Sequence, residues 1–179
     1  MDALSQILGP LWSMVEPHLW WVVPVIVVAA ILRFPMLGRG PNSSRRDPWR
    51  VFKFAGRSAV MERAGWRCES PLLLAWGRCR AAATEADHIM PWSKGGPTVF
   101  SNGQALCRMH NRAKGARSPA WWYVLGLERR RLGYVPAGTP VEVLAVMNLE
   151  ERAMRERHAR GELQPKGRKL REGGSSVEA

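Results

Sequence analysis

The sequence is short of carboxylates. Over 179 residues, 15 Asp and Glu stand against 27 Lys and Arg, a formal charge of +12 and a pI near 10.9. Such a deficit points to a polyanionic partner, nucleic acid or an anionic lipid surface, and charge alone does not choose between them. Cysteine is scarce and odd in number. Cys68, Cys79 and Cys107 are the only three, which excludes a fully paired disulfide framework. Their clustering instead suggests a reducing compartment and a metal site. No Walker or dinucleotide-binding signature occurs, and no internal repeat. Met1 to Pro17 carries no Lys or Arg, and no small-x-small site follows the apolar run behind it, so a cleaved signal peptide fits poorly.

One long apolar run is present. Leu19 to Leu32 reads LWWVVPVIVVAAIL without a polar side chain and continues through Arg33 into FPML. Counted to Leu37, it approaches the roughly 20 residues that cross a bilayer. Arg33 can snorkel, and Trp20 and Trp21 sit at one end as interfacial aromatics do. The expectation is a short N-terminal segment, 1–18, and a single transmembrane helix, 19–37. A buried core helix is the competing reading, made less natural by Pro24 and the β-branched run. Arg33, Arg39, Arg45, Arg46 and Arg50 all follow the run, which predicts that the C-terminal side faces the cytoplasm.

Residues 38–56 begin with GRGPNSSRRD, turn-rich and basic, and read as a linker able to lie along anionic headgroups. A helix is predicted from about Arg57 or Ser58 to Gly65, with Ser58 as cap and Val60, Met61 and Ala64 as its apolar face. Ser118-Pro119 has the signals of another helix start, Ser at the cap and Pro in the first turn. Trp121, Trp122, Leu125, Leu127 and Leu132 supply it with apolar contacts, and Arg129 to Arg131 form a basic run that would either track a DNA backbone or stay solvated. Val141 to Arg160 reads as an amphipathic helix with Val143, Val146, Met147 and Met154 on one side. The tail after Gly161 is polar, then Gly-Ser-rich, and is expected to be disordered.

The chemistry concentrates in Ala86 to Gly115, ADHIMPWSKGGPTVFSNGQALCRMHNRAKG. Hydrolysing a phosphodiester needs an activated water, a cation at the phosphoryl oxygens and support for the leaving oxygen. His88 is a candidate general base, since imidazole titrates near neutrality. Asp87 offers the hard oxygen that Mg²⁺ or Mn²⁺ prefers. Adjacent side chains in a strand point to opposite faces, so this pair serves one site only at a strand end or twist, which Pro91 and Gly95-Gly96 allow. Ala105 to Lys114 reads as a short helix bringing His110, Asn111 and Lys114 together.

The order Asp-His, Pro-x-Ser-x-Gly-Gly, Asn, then Leu-Cys-x-x-His-Asn-x-x-Lys-Gly resembles the HNH endonuclease family over roughly Arg57 to Arg117. The resemblance implies an α+β fold: a ββα-metal (HNH) domain at 57–117 with flanking helices, a helical extension at 118–160 and a tail at 161–179. It implies that His88 activates water, that Asp87 and Asn111 bind a catalytic Mg²⁺ or Mn²⁺, and that Asn102 fixes the loop and orients the base. Asn111 stands where the family's last His would, an HNN-type variant with a neutral ligand. Lys114 would contact a phosphate, with Arg112 and Arg117 as further DNA contacts. Many members hold a structural zinc in two Cys-x-x-Cys knuckles. Here Ser70 and Pro71 occupy the place of the second Cys, so Cys68, Cys79, Cys107 and His110 form the implied Zn²⁺ set. The expected protein is a membrane-anchored, metal-dependent DNA endonuclease with a cytoplasmic nuclease domain. The alternatives are a non-catalytic zinc-stabilised DNA-binding or adaptor protein at the membrane, and a soluble nuclease whose apolar run binds a partner.

Overall fold

The structure, a computed structural model, describes residues 2–34, 36, 38–43, 45–72 and 76–162. The residues placed in the tail beyond Glu162 lie outside these, as do Pro35 and Leu37 of the apolar run. At the centre is an antiparallel hairpin of β1 (Glu85–His88) and β2 (Gly103–Leu106), in register Glu85 to Leu106 and His88 to Gly103. Helices α1 (Asp2–Arg33) and α2 (Phe54–Arg63) precede it, and α3 (Arg108–Lys114), α4 (Trp121–Arg131) and α5 (Leu149–Ala159) follow. Hairpin plus α3 make the ββα unit, so the α+β expectation holds.

Helix α2 covers one face of the hairpin. Its Val60, Met61 and Ala64 pack with Phe52, Ala83 and Ala105 in one cluster of the core. Gly103 admits this approach, because a Cβ there would meet Val60 Cγ2 at 2.6 Å. The helix starts earlier than its sequence signals suggest: Lys53 is the N-cap, and Ser58 lies inside. A second cluster, with Ile89, Val124, Leu127, Val143 and Ala145, joins α4 to the chain leaving β1.

Three further boundaries differ from expectation. Ala105 and Leu106 belong to β2, and the helix carrying His110 starts only at Arg108. Ala120 caps α4, so Ser118 and Pro119 precede the helix. Residues 141–148 are not helical; Val143, Ala145 and Met147 are buried alternately, as in an extended segment, and α5 begins at Leu149 with the Asn148 side chain accepting from Glu151 N at 2.6 Å.

Arg131 is not part of a nucleic-acid face. It is fully buried against Glu69, with Nε 2.9 Å from Oε1. Glu69 also accepts from Tyr134 Oη at 2.7 Å and from Ala105 N at 2.9 Å, which pins β2, α4 and the loop after Cys68 together. Burial opposes ionisation of this carboxyl, but Arg131 and then Arg63 outweigh it and hold it below the ordinary range.

The apolar run forms part of α1, which already starts at Asp2 and ends at Arg33, not at Leu37. No single described helix is long and apolar enough to cross a membrane; Trp12–His18 and Trp20–Arg33, bent 65° apart, pass that test only as a pair. Pro24 has no N–H for the carbonyl of Trp20, one cause of a bend near that residue. The carbonyls ending α1 are taken by indoles: Trp121 Nε1 donates to Ile31 O at 2.7 Å and Trp122 Nε1 to Leu32 O at 2.8 Å. These tryptophans therefore cap a helix end.

Candidate active site and metal centre

His88 is the last residue of β1 and Asp87 the one before it, the strand-end position that lets neighbours share a site. Both line an open cleft of 480 Å³ together with Glu85, Asn111, Lys114 and Arg57. A larger cavity of 730 Å³, between the end of α1 and α3–α4, touches Lys114 but neither Asp87 nor His88.

The imidazole is tightly held. Its ring centroid lies 4.7 Å from that of Phe52, and Nε2 is 2.9 Å from Thr98 Oγ1. The Thr98 hydroxyl spends its proton on the Trp49 carbonyl. Oγ1 therefore accepts from His88 Nε2–H, and Nδ1 keeps its lone pair. Burial lowers the His88 pKa to about 4, only partly offset by Asp87. A neutral ring at neutral pH is the form a general base requires.

Asn102 ties together the loop around Met90 and Pro97. It is fully buried, its Oδ1 accepts from Met90 N at 2.8 Å, and its Nδ2 donates to Pro97 O at 2.8 Å and Met90 O at 3.1 Å. None of these hydrogen bonds reaches the imidazole; the side chain bonded to the ring is Thr98, which the motif reading passed over. Gly96 completes this loop, since a Cβ there would lie 1.9 Å from Met90 O.

Asp87 Oδ2 is paired with Lys114 Nζ at 2.8 Å, so Lys114 contacts a carboxylate in this structure. Asn111 Nδ2 donates to Glu85 Oε2, a cleft carboxylate that sequence reasoning missed, and leaves Oδ1 as the end available to a cation. Arg117 turns its guanidinium back on the Ala113 and Lys114 carbonyls, capping α3, while Arg112 on the same helix is exposed.

Behind the hairpin, Cys68, Cys79, Cys107 and His110 bring their ligand atoms within 4.8 Å of one another. His110 Nδ1 lies 3.2 Å from Cys107 Sγ and 3.5 Å from Cys68 Sγ. A tetrahedral Zn²⁺ site has S···N edges of about 3.5 Å. The cluster fits a structural zinc. The three thiols are free and buried, and burial raises Cys68 to about 11. At Cys107 burial works the same way, but the backbone N–H of His110 at the start of α3 helps to outweigh it and lower the thiol. Cys79 reaches the cluster because Arg67 and Arg78 tie its loop back: Arg67 Nε donates to Cys79 O at 2.8 Å, and Arg78 Nε to Cys68 O at 3.1 Å.

The family model described as HNH endonuclease matches residues 67–117. These residues form an HNH endonuclease domain, which makes the protein a phosphodiester hydrolase. No curated protein and no solved structure matches the chain.

Proposed function

We propose that this protein is a metal-dependent DNA endonuclease in which His88 is the general base and Asp87 and Asn111 hold the catalytic cation. One observation carries the reading. A neutral imidazole, locked by Thr98 through Nε2, lines an open basic-rimmed cleft together with two carboxylates and an amide, and its Nδ1 is left unprotonated. The donors are hard oxygens, as Mg²⁺ and Mn²⁺ prefer, and the Lys114 ammonium against Asp87 marks a cation position. Bound by Asp87 and Asn111, such an ion supplies charge neutralisation at the scissile phosphate. His88 Nδ1 takes a proton from water, the water oxygen forms a bond to phosphorus as the P–O ester bond breaks, and the departing alkoxide takes its proton from solvent. Asn102 and Thr98 keep the loop and ring in place throughout.

The N-terminal helix supports a second part of the proposal, attachment to a membrane with the nuclease domain on the cytoplasmic side. Trp12, Trp20, Val25, Ile26 and Ile31 are all exposed, an arrangement suited to lipid. Partition of the full chain between membrane and soluble fractions, with reporter fusions at the C-terminus, tests attachment and orientation.

Catalysis is tested by incubating the full chain with supercoiled plasmid in Mg²⁺ or Mn²⁺ and in EDTA. Nicked or linear product is expected only with the metal. His88→Ala should lower the rate about 10²–10⁴-fold with the fold intact. Equal cleavage by His88→Ala would remove the base assignment, and DNA binding without cleavage by the wild type would favour a non-catalytic DNA-binding protein.

A further inference from the structure

We propose that Arg46, Arg50 and Trp92 form a preorganised phosphate clamp that grips the DNA backbone beside the catalytic cleft; this rests on the nuclease reading and names where its substrate is held. The two arginines precede α2, outside the matched residues 67–117. Trp92 follows β1 in a short 3₁₀ turn, Trp92–Lys94. Its indole is immobilised, with Nε1 donating to Asp47 O at 2.8 Å. Over that ring stand both guanidinium groups, Arg46 Cζ at 5.1 Å and Arg50 Cζ at 5.5 Å from its centroid. Stacking on an aromatic holds a guanidinium in place while its N–H fork stays free.

The segment between the arginines is fastened down as well. Asp47 accepts from Trp49 N at 2.9 Å and Thr98 N at 2.7 Å, and pairs with Arg155. The only acid in the segment is thereby committed to Arg155. Among the described residues neither Arg46 nor Arg50 has a carboxylate partner, and both are exposed. Two like charges held against one indole without a counter-ion cost free energy that an anion recovers. Position selects the anion: Arg50 and Trp92 line the same cleft as Asp87 and His88. A phosphodiester at His88 places its neighbouring phosphates along the cleft walls, and the fork of each arginine suits two phosphate oxygens.

The experiment measures binding of a fluorescent duplex to the full-length His88→Ala protein across a series of NaCl concentrations. Arg46→Gln with Arg50→Gln should weaken binding on the order of tenfold or more, and lower the log–log salt slope by about 2, near one for each phosphate no longer neutralised. Arg46→Lys with Arg50→Lys should keep the slope and lose part of the affinity. Trp92→Leu should fall between. An unchanged slope and affinity in the double Gln protein, with its melting temperature retained, would overturn the clamp. So would an effect confined to anionic vesicles, which would make the pair a headgroup site. Failure of the nuclease reading is separable: a wild type that does not cut, yet binds DNA with the same Arg46- and Arg50-dependent slope, leaves the clamp standing.

Discussion

Asp47 and Arg155 lie 108 residues apart in sequence and form an ion pair almost entirely shielded from solvent, one hydrogen bond away from the residue that orients the His88 imidazole. Asp47 Oδ2 accepts from Thr98 N at 2.7 Å, and Arg155 Nη2 donates to Thr98 O at 3.1 Å. Thr98 then meets His88 Nε2. Helix α5 and the segment before α2 thus clamp both ends of Thr98, although neither falls within residues 67–117.

Breaking this pair should therefore affect stability and turnover together. Arg155→Ala leaves a buried carboxylate without its cation, and such a change typically costs about 3–5 kcal/mol. Urea unfolding should show that decrease. Steady-state kinetics should show kcat falling with KM little changed, and Arg155→Lys should recover part of both. A variant with full kcat would separate α5 from the active site.

Thr98→Val deletes the acceptor that holds His88 Nε2–H, while Thr98→Ser keeps it. The first should lower kcat by on the order of 10²-fold through misplacement of the ring, and the second should stay near wild type. Similar rates for all three proteins would show that Phe52 packing alone orients the imidazole.

The pH profile follows from the environment of His88. Its folded pKa is lowered to about 4 from 6.5, chiefly by burial. The neutral base therefore survives well below pH 6.5, and a divalent cation nearby disfavours the imidazolium further. The acid limb of kcat/KM, measured in Mn²⁺, should fall below the ordinary histidine range. For stability the sign is the same. The contribution is fully present above about pH 6.5 and is lost as pH falls through 6.5 towards 4. An acid limb at 6.5 would mean that another group supplies the base.

Zinc should be present at one ion per chain by metal analysis. Cys79→Ser and Cys107→Ser should each lose it together with thermal stability, because a structural zinc is commonly worth on the order of 10 kcal/mol in small domains. Cys79 is the informative position, since it enters the set through a long loop. A Cys79→Ser protein that keeps stoichiometric zinc would exclude it as a ligand.

With the catalytic cation placed as proposed, Lys114 competes with it for Asp87. Lys114→Met should reduce the Mn²⁺ concentration needed for half-maximal cleavage, while lowering the maximal rate if the ammonium also steadies the phosphate. An unchanged metal requirement would show that the 2.8 Å pair with Asp87 opens at no cost.

The residues proposed to carry the chemistry stand out in the chain itself, because those signals are local. Asp87-His88 ahead of Pro91 and Gly95-Gly96, and Cys107 three residues before His110, are short-range spacings that a turn or helix converts directly into neighbours. Periodicity served less well where a run was brief. Val143, Ala145 and Met147 sit inside a stretch with helix-like spacing as well; burial of Val143 and Ala145 against Val124 and Leu127, with hydrogen bonds to Ser101, Arg39 and Glu128, selects the extended form. The partners that position the site were not legible at all. Thr98 under Trp49, Asp47 against Arg155, and Glu69 against Arg131 join residues 49, 108 and 62 positions apart. Each is an ordinary polar side chain in sequence, and each acquires its role only when folding excludes water and leaves it the few partners the fold brings near to satisfy its charge or hydrogen bonds.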